Sequence, residues 1–168
     1  MRGGDGNDTL LGGGDRDRLR GGKGVDILMG GDGDDRLQGG DGGDSLSGGT
    51  GVDRLQGDNG DDHLFGDDGN DRLQSGGGAD LLMGGDVNDQ LNGDQGNDTL
   101  VGGDGFDRLR GGGQNDSLDG GTNDLGLDDG FADELNGNGG IDTYLARALD
   151  ILLGVKRDDE IINPADNP

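Results

Sequence analysis

Nine residues is the period that governs this chain. From Gly3 to Asp119 it divides without insertion into thirteen nonapeptides, running from GGDGNDTLL to GGGQNDSLD and covering 117 of 168 residues. The sixth position is Asp in all thirteen, and the eighth is Leu in all thirteen. The first is Gly in twelve, broken by Ser75; the fourth is Gly in ten, broken by Asp15, Val87 and Gln114. A unit this short cannot bury an apolar face alone, so neighbouring units must stack and share a continuous core.

Within each unit, one inward Leu flanked by two outward residues reads as a three-residue strand with period-two alternation. The six residues before it, GGxGxD, read as a turn in which glycine supplies backbone angles other residues avoid. Two nonads then make one coil of strand, turn, strand, turn. A period of 18 should follow, and it is present. At positions seven and nine the even nonads carry Arg18/Arg20, Arg36/Gln38, Arg54/Gln56, Arg72/Gln74, Gln90/Asn92 and Arg108/Arg110. The odd nonads carry mixed and partly apolar pairs such as Thr9/Leu11, Ile27/Met29, His63/Phe65 and Leu81/Met83. The expected fold is all-β: a right-handed parallel β-roll, a two-sheet solenoid with 18 residues per coil.

Composition says what such a roll lacks. Glycine supplies 44 residues, hydrophobics 26%, aromatics 2%, and the net charge is −24. By that measure alone the chain should be disordered, because too little apolar surface is buried to offset the ordering entropy. Yet Glu134 and Glu160 are the only glutamates, and a preference for aspartate points to turn geometry rather than solvation. With no cysteine in the chain, thiolate sites and disulfides are excluded and oxygen ligands for a hard cation remain. Stacked turns bring rows of Asp together, so a cation should sit between them. Calcium takes six to eight carboxylate and carbonyl oxygens in flexible geometry, whereas magnesium demands a stricter octahedron. If each ion bridges a turn and the turn one coil on, thirteen nonads offer eleven sites, and eleven divalent ions would bring −24 to about −2. The turns containing Asp15, Val87 and Gln114 depart from this pattern.

The repeats resemble the GGxGxDxUx consensus of the RTX (repeats-in-toxin, haemolysin-type) calcium-binding family, a motif specific to it, over about 70% of the chain. The resemblance implies that position-six carboxylates and glycine-turn carbonyls hold calcium between coils. The implied carboxylate ligands are Asp8, Asp17, Asp26, Asp35, Asp44, Asp53, Asp62, Asp71, Asp80, Asp89, Asp98, Asp107 and Asp116. The implied carbonyl ligands come from turns such as Gly4 and Gly6, Gly22 and Gly24, Gly31 and Gly33, Gly40 and Gly42, and Gly49 and Gly51. It also implies export through a type I channel, with the chain unfolded in low cytosolic calcium and folding once secreted. Family members usually attach such repeats to a protease, lipase, epimerase, adhesin or pore-forming domain, and none is recognisable here.

The organisation expected is a regular roll over 3–119, degenerate terminal repeats over 120–145, and a cap or secretion-signal-like segment over 146–168. Gly120 to Leu127 forms a shortened unit, after which Asp133/Leu135 and Asp142/Tyr144 recover the pattern. Leu145, Ala148, Leu149 and Leu152 fall at i, i+3, i+4 and i+7 ahead of Gly154, a spacing that predicts a short amphipathic helix. A strand is expected near Glu160 to Asn163.

Other functions fit poorly. His63 is the sole histidine and lies at an outward strand position, so no catalytic constellation assembles and no enzyme is expected. The acidic balance argues against nucleic acid, and no stretch is long and apolar enough for a membrane span. The alternative function is an adhesive module binding a polysaccharide or other polyanion on the Arg/Gln face, against the plainer reading that neighbouring Asp neutralise those arginines. Ice binding would need a regular Thr or Asn row, and positions three and five are mixed.

Overall fold

The computed structural model describes residues 1–121, 134–145, 151–153 and 159–162, and every regular element among them is a β-strand. One sheet contains β1 (Arg2–Asp5), β3 (Arg18–Lys23), β5 (Arg36–Asp41), β7 (Arg54–Asn59), β9 (Arg72–Gly77), β11 (Gln90–Gln95), β13 (Arg108–Gly113), β15 (Glu134–Asn138) and β17 (Ile151–Leu153). The other contains β2 (Thr9–Gly13), β4 (Ile27–Asp32), β6 (Ser45–Thr50), β8 (His63–Asp68), β10 (Leu81–Asp86), β12 (Thr99–Asp104), β14 (Ser117–Asp119), β16 (Thr143–Leu145) and β18 (Glu160–Ile162). All pairings are parallel, and each strand pairs with those two before and after it in the chain, which is a two-sheet solenoid.

The register is 18 residues throughout the regular part, as in Leu19↔Leu37 and Leu10↔Leu28. It places identical repeat positions in rows running the length of the roll. The core is two such rows, one per sheet. Leu19, Leu37, Leu55, Leu73, Leu91, Leu109 and Leu135 form one; Leu10, Leu28, Leu46, Leu64, Leu82, Leu100, Leu118 and Tyr144 form the other, all buried. Each coil thus encloses one leucine from each side and little else, so the apolar core is a single file of facing leucines.

The strands are longer than the expected three residues. Most span six, from position seven through position three of the next nonad, with a burial pattern in which positions eight and one both face inward. Alternation therefore continues through the Gly-Gly pair. Glycine carries no side chain to reveal this, so the pattern of side chains ended at position nine while the backbone ladder did not.

Beyond β14 the register changes. Leu109 pairs with Leu135 and Leu118 with Tyr144, a spacing of 26 that accommodates eight extra residues between coils. The next spacing is 17, in Leu135↔Leu152 and Tyr144↔Ile161. The expected helix is corrected here. Leu145 closes β16 and Leu152 sits in β17, paired with Leu135, while the rest of that segment, 146–150 and Gly154, lies outside the described residues. The strand expected near Glu160 is β18.

Candidate metal centre

The turns gather their aspartates into two buried rows, one along each edge where the chain passes between sheets. Of the position-six residues, Asp8 and Asp17 are half-buried, and Asp26, Asp35, Asp44, Asp53, Asp62, Asp71, Asp80, Asp89, Asp98, Asp107 and Asp116 are buried. From Asp26 onward, one oxygen of each carboxylate has a fixed task. The backbone N–H of Asp26 donates to Asp44 Oδ1 at 2.8 Å, that of Asp44 to Asp62 Oδ1 at 2.7 Å, and that of Asp62 to Asp80 Oδ1 at 2.7 Å. The other row repeats this, with Asp35 to Asp53 at 2.7 Å and Asp53 to Asp71 at 2.8 Å. Each carboxylate thus reaches back one coil to a neighbour's amide.

The second oxygen has no such partner. Oδ2 of Asp8, Asp26, Asp35, Asp44, Asp53, Asp62, Asp71, Asp89, Asp98 and Asp116 is shielded from solvent and accepts no hydrogen bond. A buried carboxylate oxygen left so is costly. At Asp80 the Ser75 side chain helps to hold the carboxylate. Burial, reinforced by the stacked neighbours of like charge, pushes the carboxyls of Asp62, Asp71 and Asp98 up to about 7 from 3.8. Burial likewise takes Asp89 up to about 7 and Asp116 to about 6. Asp44, Asp53 and Asp80 shift upward for the same reason. Rows of buried like charge such as these favour a compensating positive charge.

Glycine makes room for them in two ways. At position one the need is space. A Cβ on Gly21 would lie 2.8 Å from Asp26 Cγ and 2.8 Å from the Gly39 carbonyl oxygen. Ser75 is the exception, buried with its hydroxyl donating to the Gly93 carbonyl at 2.8 Å. At positions two and four the need is backbone conformation. Gly4, Gly22, Gly31, Gly40 and Gly49 at position two, and Gly6, Gly24, Gly33, Gly42 and Gly51 at position four, all have φ above +100°. Asp15, Val87 and Gln114 keep the turn at φ 70°, 79° and 77°, so these units preserve the backbone without glycine. For Val87, a β-branched residue, that conformation is strained.

The position-four amide donates to the position-three carbonyl of the next coil, as Gly24 does to Asp41 at 2.8 Å and Gly42 to Asn59 at 2.8 Å. No donor among the described residues reaches the position-four carbonyls of Gly6, Gly24, Gly33, Gly42 or Gly51. The turns ending in Asp8, Asp26, Asp35, Asp44 and Asp53 therefore each offer an unused carboxylate oxygen and an unused carbonyl oxygen, the donor set a hard cation prefers. No three acidic or histidine side chains among the described residues converge on one point. Carboxylates alone do not make a site here, and any ion must also draw on backbone oxygens.

A second row escaped the sequence reading. At position five, side-chain oxygens accept from the position-five amide one coil on: Asn7 from Val25 at 2.9 Å, Asp61 from Ala79 at 2.8 Å, Asn88 from Phe106 at 2.8 Å and Asn115 from Ile141 at 2.8 Å. These bonds run forward along the roll while the position-six bonds run back. The signal was Asn or Asp at 7, 34, 61, 70, 88, 97 and 115, obscured by Arg, Val, Gly and Ala in the same column.

A parallel two-sheet roll whose turns stack buried aspartates over glycines has the architecture of a cation-binding repeat module. The model of the RTX calcium-binding nonapeptide repeat matches residues 2–37, 20–55, 29–64, 38–73, 56–91 and 92–124, and the chain belongs to that family. No curated protein matches the chain. The family binds calcium through such repeats, and its fold is structural rather than catalytic.

Proposed function

We propose that this chain is a calcium-driven folding module of a protein exported through a type I channel, unfolded in the cytosol and ordered outside the cell. The observation that carries the reading is the set of buried Oδ2 atoms that accept no hydrogen bond, those of Asp26, Asp35, Asp44, Asp53, Asp62, Asp71, Asp89, Asp98 and Asp116. Calcium would be held by the position-six Asp carboxylates together with carbonyls of the glycine turns, Gly6, Gly24, Gly33, Gly42 and Gly51 among them. The bound ion supplies positive charge in place of solvation. The chain's own groups do the rest: glycine lets the turns close, amides fix one oxygen of each carboxylate, and the leucine rows align successive coils.

In this reading residues 3–119 are the regular roll, 120–145 its closing repeats and 146–168 a cap or export signal. Ions bridging turns one coil apart would number about eleven, the count that leaves the chain near neutrality. Equilibrium dialysis at saturating calcium tests the number. About eleven ions per chain fits; two or three would mean that most turns close without metal. Export is tested by co-expression with a type I channel. The full chain should reach the medium, and removal of 146–168 should leave it inside; unchanged export would remove that segment's role.

A further inference from the structure

One row of charge on the outer surface has no ion-pair contacts among the described residues. Arg18, Arg36, Arg54 and Arg72 occupy position seven on β3, β5, β7 and β9, paired in direct succession. All four are exposed. None of their side chains makes an ion pair or a hydrogen bond among the described residues. The chain has 37 acids to 13 bases, and other arginines do find partners: Arg16 pairs with Asp34, Arg108 with Glu134, and Arg20 bonds Gln38. Asp34 attracts Arg54 from a distance, but no neighbouring Asp is in ion-pair contact with the row among the described residues.

The fold does not require it either. The equivalent positions on the opposite sheet carry Thr9, Ile27, Ser45 and His63, and Gln90 continues the arginine row on β11. Like charges on adjacent parallel strands repel, so a row of four persists at a cost. Beside it runs a row of amides, Gln38, Gln56 and Gln74, whose nitrogens donate to Asp58 or Asp94 while the side-chain oxygens of Gln56 and Gln74 accept no hydrogen bond among the described residues, and the two rows line a groove of about 830 Å³. At the ~4.8 Å strand spacing the four guanidinium groups span about 14 Å in single file.

We propose that this groove binds a linear carboxylated polysaccharide, with the arginines on its carboxylates and the glutamines on its hydroxyls. Guanidinium groups pair with carboxylates through two parallel hydrogen bonds, and single-file charge suits a single chain with regularly spaced acids. Nucleic acid suits it less. The groove has no aromatic side chain on which bases could stack, and the chain's −24 charge opposes a polyphosphate. The inference rests on the folded, calcium-loaded roll.

The test uses the full chain in saturating calcium and a short oligogalacturonate, too small to gel, with binding read by calorimetry and folding by circular dichroism. Replacing Arg36 and Arg54 together by Gln, a residue the row already holds at Gln90, should leave the fold intact and weaken binding at least about tenfold. Replacing both by Lys should retain part of the affinity, and raising salt from about 0.05 to 0.2 M should lower it for the wild type. A folded wild type that fails to bind overturns the proposal while leaving the calcium-driven roll intact. Equal binding by the glutamine variant overturns it too, since calcium bridging would then explain the contact. Tighter binding of a DNA oligonucleotide than of the oligogalacturonate also overturns it.

Discussion

Two rows of aspartate and asparagine run side by side along each turn edge, one residue apart in sequence, and their fates are opposite. Asp34, at position five, is exposed, and the hydrogen bond from Arg16, with a second from the Val52 amide, holds its carboxyl below the ordinary value. Asp62, at position six, is buried, and burial pushes its carboxyl up to about 7. Position-five side chains meet their needs with an amide and solvent. Position-six side chains such as Asp44, Asp62 and Asp98 spend one oxygen on an amide and keep the other buried without a donor. On the proposed function, the outer row stabilises the roll as it stands, and the inner row does so only when a cation completes it.

The leucine rows set the scale against which both are judged. Leu64→Ala removes a fully buried core side chain and should cost about 3 kcal/mol. In urea melts at saturating calcium the transition should move to lower denaturant. A shift near zero would mean that the leucines are spectators and the turns alone hold the roll.

Asp62→Asn probes the inner row with a change of sign. In calcium it removes ligand charge from the ions its turn contacts and should lower stability by about 1–3 kcal/mol. Without metal it removes a buried negative charge, so the variant should show more β structure in chelator than the wild type. If it is destabilised equally in both conditions, the carboxylate is needed for its amide bond rather than for a cation.

Acid should act on the metal-free chain in the same sense. The carboxyls of Asp62, Asp71, Asp89 and Asp98 rise from 3.8 in the unfolded chain to about 7 in the roll. The folded state thus holds protons that the unfolded state has released. That contribution is complete below about pH 4 and is lost as pH rises through about 7. Metal-free samples monitored by circular dichroism should gain β structure on acidification. Calcium affinity should move the other way, falling as pH drops through about 7, because protons and the metal compete for the same oxygens. A metal-free spectrum independent of pH would contradict the buried state of these carboxyls.

The smallest effect belongs to the outer row. Asn70 accepts from the Asn88 amide at 3.3 Å on an exposed surface, so Asn70→Ala should cost about 0.5–1 kcal/mol in the same melts. A cost as large as that of Leu64→Ala would erase the distinction between the rows.

Much of this was legible in the residues, for physical reasons. Leu at the eighth position of every nonad and Asp at the sixth declare the core and the turn, and the alternation of Arg18, Arg36 and Arg54 with Ile27, Ser45 and His63 declares two sheets. The remainder was hidden where side chains do not speak. The strands run on through Gly21 and Gly22 and their equivalents, where there is no pattern to see. Position one resembled a turn glycine, yet it serves to leave space for the carboxylate five residues on. The position-five row was masked because only some of its members accept bonds. Leu145 and Leu152 misled because residues of two separate short strands can fall at helical spacing.

The central claim is that the inner row needs a cation, and a far-UV circular dichroism titration with calcium, run beside magnesium, tests it most directly. The account predicts a disordered spectrum in chelator at about pH 8 that converts steeply to β structure with calcium and stays unchanged with magnesium. A chain already folded in chelator at that pH would contradict it, because the leucine rows would then suffice and the buried aspartates would need no metal.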